Sequence, residues 1–139
     1  MKIQELESLL QKKNVRPTAM RLLVLEALNS RRTAISLSEL EIVLENSDRV
    51  TLFRTLKTFQ KKGLVHSIDD GTGSPKFALC EEGCECIIER DLHVHFHCRQ
   101  CGDTLCLPKY KIPEINLPTN FQGEEANLVV KGVCGNCRV

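Results

Sequence analysis

The chain has 139 residues, of which 42% are hydrophobic and 27% are charged, so it can bury a core and is not intrinsically disordered. Its formal net charge of +1 gives no global field for a polyanion, and its length allows one ordinary domain or two small ones. No apolar run approaches the roughly 20 residues of a membrane span, and the N-terminus lacks the apolar core of a signal peptide, so we expect a cytoplasmic protein with no membrane partner.

Charge and cysteine content divide the chain into two parts. Residues 1–79 carry 13 Lys and Arg against 9 Asp and Glu, whereas residues 80–139 carry 6 against 9. All eight cysteines and three of the four histidines lie after residue 79. In a reducing cytosol, so many cysteines indicate metal ligands or redox thiols and not a disulfide framework. We expect one domain over residues 1–79, a hinge or insert over 80–92, and a metal-binding domain over 93–139.

The first part begins with three predicted amphipathic helices. Leucine and isoleucine at helical spacing predict a helix over residues 3–11. Thr18 is a suitable N-cap for a second helix, which follows the break at residues 14–17. Ser36 followed three residues later by Glu39 has the spacing of a capping box, so a third helix is expected to begin there.

A fourth helix and a β-hairpin complete this part. Ser47 or Asp48 is expected to cap a helix that runs from Arg49 to about Lys62, and Gly63 is expected to end it. Two short apolar runs, residues 64–68 and 76–79, enclose a turn-rich loop and predict a hairpin. Helices with a short connection between the third and fourth, followed by a hairpin, are typical of a winged helix-turn-helix.

The fourth helix is the candidate DNA-recognition helix. Its predicted outer surface is basic and also carries threonines: Arg49, Thr51, Arg54, Thr55, Lys57 and Lys61. Such a helix can enter the major groove, with cations on phosphates and a few side chains on base edges. On this pattern alone, a helical domain with an ordinary solvated basic face remains the alternative.

Two Cys-x-x-Cys motifs mark the second part. Cys98 and Cys101 form the first motif, and Cys134 and Cys137 form the second at the end of the sequence. Two residues between thiolates let both bind one ion from a tight turn, and two such turns complete a tetrahedral zinc site. Predicted strands at residues 104–107 and 127–133 occupy the interval. The alternative is two unrelated pairs of reactive thiols.

A row of histidines precedes the first motif. His93, His95 and His97 alternate with other residues, so a strand would place all three on one face. Imidazoles clustered in this way predict a second metal site, with the first two as ligands and His97 as a ligand neighbour or a surface residue. The remaining cysteines are open: Cys106 fits a small buried hydrophobe, and Cys84 and Cys86 fit a weak metal site or redox-sensitive thiols.

The order of these parts resembles the ferric uptake regulator family of metal-responsive bacterial repressors. The resemblance is carried by Arg16-Pro17-Thr18 with Arg21, by the run from Val50 to Leu56, by Gly63-Leu64-Val65, by the His-x-His segment and by both cysteine motifs. It implies an α+β fold in which an N-terminal winged helix binds operator DNA, a small C-terminal α/β domain dimerises, and a regulatory metal lies at their junction. The DNA contacts expected from it are Arg16, Arg21, Arg49, Thr51, Phe53, Arg54 and Lys57.

The resemblance also bears on the metal. Members that sense zinc build the junction site from a Cys after the wing, a residue at the start of the wing and the His-x-His segment, which here are Cys80, His66, and His93 with His95. The positions at which iron-sensing members use His and Glu look like Ala34 and Ala78. Thiolate with imidazole suits tetrahedral zinc, so regulatory zinc is expected, with iron or manganese as alternatives.

The sequence departs from the family pattern at four places, one of which is an insert over residues 81–92 that is longer than usual. Phe53 stands where a tyrosine is usual, and Pro108, Pro113 and Pro118 shorten or remove a helix that the family has between residues 107 and 127. Cys106 occupies a position at which a carboxylate ligand is common, which leaves open that it binds metal.

The function predicted from the sequence is a zinc-loaded homodimeric repressor that binds an inverted-repeat operator in double-stranded DNA and controls metal-uptake genes. An iron- or peroxide-responsive regulator of the same family is the alternative that fits the pattern next best. A zinc-ribbon interaction module and a dithiol redox enzyme fit less well, because neither explains ordered helices followed by a wing.

Overall fold

The fold is α+β, with helices in the first part and two small sheets. The computed structural model describes residues 2–31, 33–79, 93–111, 115–124, 126 and 128–138. The elements are, in chain order, helix α1 (Ile3–Lys12), helix α2 (Ala19–Asn29), strand β1 (Ile35–Ser36), helix α3 (Leu37–Val43), helix α4 (Arg49–Lys61), and strands β2 (Val65–Ile68), β3 (Lys76–Leu79), β4 (His93–Cys98), β5 (Thr104–Lys111) and β6 (Val129–Gly132).

Three helices begin at polar caps that satisfy their first backbone N–H groups. The Thr18 hydroxyl accepts from the Arg21 N–H at 3.2 Å, and α2 starts at the next residue. Ser36 and Glu39 form the predicted capping box of α3. At α4 the cap is Asp48, whose carboxylate accepts from the N–H groups of the second and third helical residues.

The core of the first part lies between the four helices and the three-stranded sheet of the wing. Leu10, Leu25, Leu52, Leu56 and Phe59 are fully buried in it. Sequence periodicity assigned some positions to the wrong face, because amphipathic spacing does not say how wide a buried stripe is. Helical spacing groups six side chains with the apolar residues of their helices although they are exposed: Ile3, Leu23, Ile42, Val43, Val50 and Phe53. Thr55, which was expected on the outer surface, is 7% exposed and donates to the Thr51 carbonyl at 2.8 Å.

The wing is a three-stranded sheet. Strands β2 and β3 form the predicted antiparallel hairpin, and β1 pairs with β3 on its other edge, so the strand order is β1-β3-β2. The two-residue strand β1 is too short to give a sequence pattern. In this sheet His66 is directly opposite Ala78.

The second sheet contains β4 in its centre, antiparallel to β5 and parallel to β6. Strand β5 extends through Pro108 to Lys111, beyond the predicted end at residue 107. The register shifts between His93 and Val94, which pair with Lys111 and Leu107. Pro108 lies at this irregularity on an edge strand, where the lack of an N–H is tolerated. The described residues between 115 and 124 contain no helix.

The wing and the second sheet touch each other. The Ala34 N–H donates to the Thr104 carbonyl at 2.8 Å, and the Thr104 hydroxyl donates to the Asp70 carboxylate at 2.8 Å. Strand β5 is therefore bonded both to the residue before β1 and to the loop after β2. Over the described ranges, none of the helices has the length and apolar character needed to cross a membrane.

Candidate metal centres and DNA-binding face

Four thiols from the two Cys-x-x-Cys motifs meet at one end of the second sheet. We call Cys98, Cys101, Cys134 and Cys137 the cysteine cluster; their sulfur atoms all lie within 4.8 Å of one another. The Sγ–Sγ distance is 3.7 Å between Cys98 and Cys137 and 3.9 Å between Cys101 and Cys134. A disulfide needs about 2.05 Å, whereas zinc–sulfur bonds of about 2.3 Å in a tetrahedron place sulfurs about 3.8 Å apart. The geometry fits a zinc ion.

The electrostatics of the cysteine cluster also fit a cation. Backbone N–H groups of Cys101 and Cys134 each lie 3.4 Å from the Cys98 sulfur, and these hydrogen bonds lower the pKa of that thiol to about 6. Hydrogen bonding to Cys134, burial and the other two thiols raise the pKa of Cys137 to about 12. Four thiols this close cannot all ionise without a positive charge between them. Zinc, when bound, would supply that charge and hold the first motif to the second.

A second group of metal-ligand types lies where the wing meets the second sheet. We call His66, His95 and Cys106 the junction cluster; each offers one donor atom, and these atoms lie within 4.8 Å of one another. The two imidazole rings have centroids 5.2 Å apart. His95 and Cys106 are directly opposite each other on β4 and β5, while His66 comes from β2. Elements from both parts of the chain therefore contribute to one cluster.

The donor set of the junction cluster fits a soft or borderline metal. His66 and His95 are 9% and 8% exposed, and Cys106 is half-buried. Among the described residues, the cluster has two nitrogen donors and one sulfur donor and no carboxylate. Zinc is bound by nitrogen and sulfur in this way and takes a fourth ligand, whereas Mn²⁺ and Mg²⁺ favour oxygen.

The structure brings together two of the four predicted regulatory ligands. His66 and His95 lie in the junction cluster, and Cys80 lies outside the described residues. The backbone of His93 is in β4, but its side chain is outside the described set. Cys106 was not among the residues predicted for this site, and its position opposite His95 depends on strand register, which spacing alone does not provide. His97 is buried and hydrogen-bonded to Thr104 at 2.9 Å.

The candidate DNA-binding face is the exposed side of α4. Arg49, Phe53, Arg54 and Lys57 are exposed on it, and the Lys57 ammonium lies 5.3 Å from the centroid of the Phe53 ring. Arg49 forms an ion pair with Glu41, and exposed pairs of this kind contribute little and exchange readily.

Three other predicted contact residues have partners within the chain. The Thr51 hydroxyl donates to the Asp48 carboxylate at 2.8 Å, so it takes part in the helix cap. Hydrogen bonds to the Thr51 hydroxyl and backbone lower the pKa of Asp48. The Arg21 guanidinium donates to the Arg16 carbonyl at 2.9 Å, and Arg16 itself is exposed before α2.

The structure combines a winged helix-turn-helix, which has exposed cations on its fourth helix, with two metal-ligand clusters. One cluster lies in the second sheet and the other lies between that sheet and the wing. This combination is typical of a metal-dependent regulator. A sequence model of the ferric uptake regulator family matches residues 12–128. The chain therefore belongs to the ferric uptake regulator family, and it is a metal-responsive regulator and not an enzyme.

Individual relatives extend this comparison. The zinc uptake regulation protein of Mycobacterium tuberculosis is 29% identical over 120 residues, which cover 83% of this chain and 86% of that protein. A zinc uptake regulator solved in complex with zinc and DNA has a TM-score of 0.68 at 21% identity, over 98% of this chain and 92% of that one. The holo form of XcZur has a TM-score of 0.69 at 19% identity, over 98% and 96% of the two chains. These solved structures share the fold of this protein.

Proposed function

We propose that this protein is a zinc-responsive transcriptional repressor that binds operator DNA as a homodimer and controls metal-uptake genes in the cytoplasm. The observation that carries this proposal is the junction cluster, because its nitrogen and sulfur donors come from the wing on one side and the second sheet on the other. A metal-responsive regulator needs its metal to control the position of the DNA-binding part. An ion bound between the wing and the second sheet would fix that position.

The proposed structural zinc site is the cysteine cluster. Its sulfur–sulfur distances suit tetrahedral zinc, and it joins the turn after β4 to the turn after β6. The proposed domains follow the same division: a winged helix over residues 1–79, a hinge over 80–92, and a zinc-binding dimerisation domain over 93–139.

The proposed regulatory site contains His66, His95, Cys80 and His93, as the sequence predicts, and the geometry adds Cys106. The thiol of Cys106 is within ligand range of both described imidazoles. Ala78 lies opposite His66, so that position of the wing offers no oxygen donor. The donor types favour zinc over iron or manganese. The names of similar proteins support the same metal, since the relative from Mycobacterium tuberculosis is a zinc uptake regulation protein.

The proposed DNA-binding surface is α4 with the start of α2. The residues expected to take part are Arg16, Arg21, Arg49, Thr51, Phe53, Arg54 and Lys57. Exposed arginine and lysine side chains suit phosphate contacts, and the exposed Phe53 ring suits a thymine methyl group. A fold shared with a zinc uptake regulator that was solved on DNA supports this assignment.

The proposed homodimer is supported by exposed apolar side chains in the second part of the chain. Tyr110, Ile115 and Phe121 are 64%, 63% and 69% exposed, and Leu117, Leu128 and Val130 are between 41% and 48% exposed. Six exposed apolar side chains within residues 110–130 support an interface between copies of the chain. A dimer carries two recognition helices related by symmetry, which fits an inverted-repeat operator.

The proposed mechanism is linkage between the junction cluster and the DNA-binding face. His66 moves with the wing, whereas His95 and Cys106 belong to the second sheet, so ligands from both would hold the wing against that sheet. Zinc would then favour the DNA-competent arrangement, and operator DNA would tighten zinc by the same factor. A coupling of about 1–3 kcal/mol changes operator affinity by roughly 5–150-fold.

Operator binding titrated separately with free zinc, ferrous iron and manganese, under reducing conditions, tests this function. We expect tight binding at the lowest free concentration of zinc and weaker or no response to the other two metals. A response led by iron or manganese would favour the iron-sensing alternative. Operator binding that depends on oxidant would favour a peroxide sensor, and an absence of any sequence-specific binding would leave a zinc-ribbon interaction module.

A further inference from the structure

A second group of buried polar side chains lies beside the junction cluster. Asp70, Lys76, His97 and Thr104 are 2%, 8%, 9% and 0% exposed. We call these four residues the clasp. Asp70 and Lys76 come from the wing, and His97 and Thr104 come from the second sheet. Buried polar groups are costly unless they are hydrogen-bonded, so their bonds define what this group does.

One carboxylate oxygen connects the two sides of the clasp. Asp70 Oδ2 accepts from Lys76 Nζ at 2.5 Å and from Thr104 Oγ1 at 2.8 Å. The Thr104 hydroxyl has a single hydrogen, which it gives to Asp70, so it accepts from His97 Nδ1 at 2.9 Å. His97 Nδ1 also lies 3.4 Å from Asp70 Oδ2. Asp70 is therefore bonded, directly or through Thr104, to two adjacent strands of the second sheet.

The other oxygen of Asp70 is held by the wing loop itself. Asp70 Oδ1 accepts from the Thr72 N–H at 3.1 Å and from the Thr72 hydroxyl at 2.6 Å, which is an Asx-turn. Gly71 has a φ of +84°, a backbone conformation that favours glycine, so the loop turns sharply directly after Asp70. These hydrogen bonds hold the carboxylate to its own loop, so we expect it to follow a movement of the wing.

The clasp is the layer next to the junction cluster. On β4 and β5, His95 pairs with Cys106 and His97 pairs with Thr104, so the two pairs are neighbours on one face of the sheet. On the wing, His66 lies in β2 and Asp70 follows two residues after the end of that strand. Any opening that separates Asp70 from Thr104 also separates His66 from His95 and Cys106.

We propose that Asp70 is a positioning residue for the junction cluster, which holds His66 of the wing against His95 and Cys106 before a metal binds. This inference rests on the proposed function of that cluster as the regulatory metal site. A cluster assembled in advance binds its ion more tightly, because less ordering opposes binding. Groups that orient metal ligands typically change metal affinity by about 10–100-fold when they are replaced.

Asp70→Asn and Thr104→Val test the proposal in the full-length protein with zinc retained in the cysteine cluster. Asp70→Asn keeps the shape but removes the anion, and Thr104→Val removes only the bridging hydroxyl. Asp103→Asn is the matched control, since it makes the same chemical change at an exposed carboxylate next to Thr104. Zinc affinity is measured by competition with a chromophoric chelator. Nuclear Overhauser contacts between the His66 and His95 rings are measured with the junction metal removed.

We expect ring contacts in metal-free wild type and in Asp103→Asn, and their loss in both clasp variants, with zinc affinity lowered about 10–100-fold. Both clasp variants should keep the zinc of the cysteine cluster and should remain dimers without operator DNA. An unfolded variant would lose both, so these two measurements separate loss of positioning from loss of folding. If Asp70→Asn does not fold, Thr104→Val decides by the same two readouts. Folded clasp variants with unchanged ring contacts and unchanged zinc affinity would overturn the positioning role alone. Wild type that binds no zinc at the junction would overturn the proposed function as well.

Discussion

Cys106 is directly opposite His95 on the neighbouring strand of the second sheet, and its sulfur lies within ligand range of His66. We expect Cys106→Ser to weaken zinc binding at the junction by at least about tenfold, because a thiolate is a stronger zinc ligand than a hydroxyl. Cys106→Asp should keep a binding site but shift its preference toward manganese by roughly tenfold, since it replaces sulfur with oxygen. Metal competition measured for the wild type and both variants checks this.

Wild-type affinities in both variants would contradict a ligand role for Cys106. The regulatory site would then reduce to the set predicted from the sequence, His66, Cys80, His93 and His95. Ser67→Ala is a suitable control for each assay, because it changes a neighbour of His66 whose side chain lies on the other face of β2.

Asp70 makes the stability of the protein depend on pH. Burial alone would raise its pKa, but hydrogen bonds from Lys76, Thr72 and Thr104 outweigh burial and hold the pKa well below its ordinary value. A carboxyl whose pKa is lowered on folding adds stability above its unfolded pKa of about 4, and this stability is lost as the pH falls. We expect Asp70→Asn to lower the free energy of unfolding by about 2–3 kcal/mol at neutral pH and by progressively less as the pH falls below about 4.

Denaturant unfolding of wild type and Asp70→Asn at several pH values measures this difference. Acid also removes zinc from both proteins, so the quantity of interest is the gap between the two at each pH. A gap that is constant over the whole acidic range would show that the Asp70 charge makes no contribution.

Residues with local partners were predictable, whereas distant partners were predictable only where a repeated motif or the family resemblance linked them, as for the two Cys-x-x-Cys motifs. Ser36 and Glu39 are three positions apart, and their capping box follows from sequence spacing. Asp70 and Thr104 are 34 positions apart, and neither has a pattern around it that announces the other. The sequence left several interpretations of Cys106 open for the same reason. Strand register makes His95 its neighbour, and sequence spacing does not specify that register.

Helix α4 presents the side chains expected to bind DNA. We expect Arg54→Ala to weaken operator binding by about 1–3 kcal/mol if the side chain contacts a base, and to reduce the salt dependence by about one phosphate contact if it does not. Lys12→Ala is the control, because it removes a positive charge from α1 instead. Operator affinity measured over a range of salt concentrations separates these outcomes.

Unchanged affinity and salt dependence in Arg54→Ala would show that this face of α4 does not touch the operator. Affinity that is insensitive to salt in the wild type would contradict phosphate contacts altogether, because such contacts release counterions.

The turn between β4 and β5 carries part of the cysteine cluster. Cys101 is exposed, and its sulfur lies 3.9 Å from that of Cys134 in the C-terminal turn. We expect Cys101→Ser to release the structural zinc, abolish the dimer and lower the free energy of unfolding by at least about 3 kcal/mol, which is roughly 10 °C in Tm for a chain of this size. Zinc content, light scattering and thermal unfolding check the three effects.

Gln100→Ala changes an exposed residue of the same turn and serves as the control. A Cys101→Ser protein that stays dimeric and equally stable would refute the structural role of this site.

The helix starts and the hairpin strands were predicted to within about a residue, because caps and turns are local signals. The second sheet was predicted less well. Strand β5 continues past its predicted end because a register irregularity accommodates Pro108, and β6 pairs with β4 in parallel across a long interval of sequence. Periodicity describes a strand but does not choose its partner.

Two adjacent polar layers connect the two parts of the chain. The clasp joins the wing to the second sheet through Asp70 and Thr104, and the junction cluster would join the same elements through a metal. Zinc is therefore expected to be sensed at the contact between the two parts and not within either part alone.

Measuring the operator affinity of wild type, His66→Ala and His95→Ala, each with and without zinc, locates the site at which zinc is sensed. The two histidines lie on opposite sides of the contact, so each replacement should leave a folded dimer that retains its structural zinc. We predict that zinc tightens operator binding by roughly 5–150-fold in the wild type and in Ser67→Ala, and has little effect in either histidine variant. A zinc response in both histidine variants equal to that of the wild type would contradict zinc sensing at this contact.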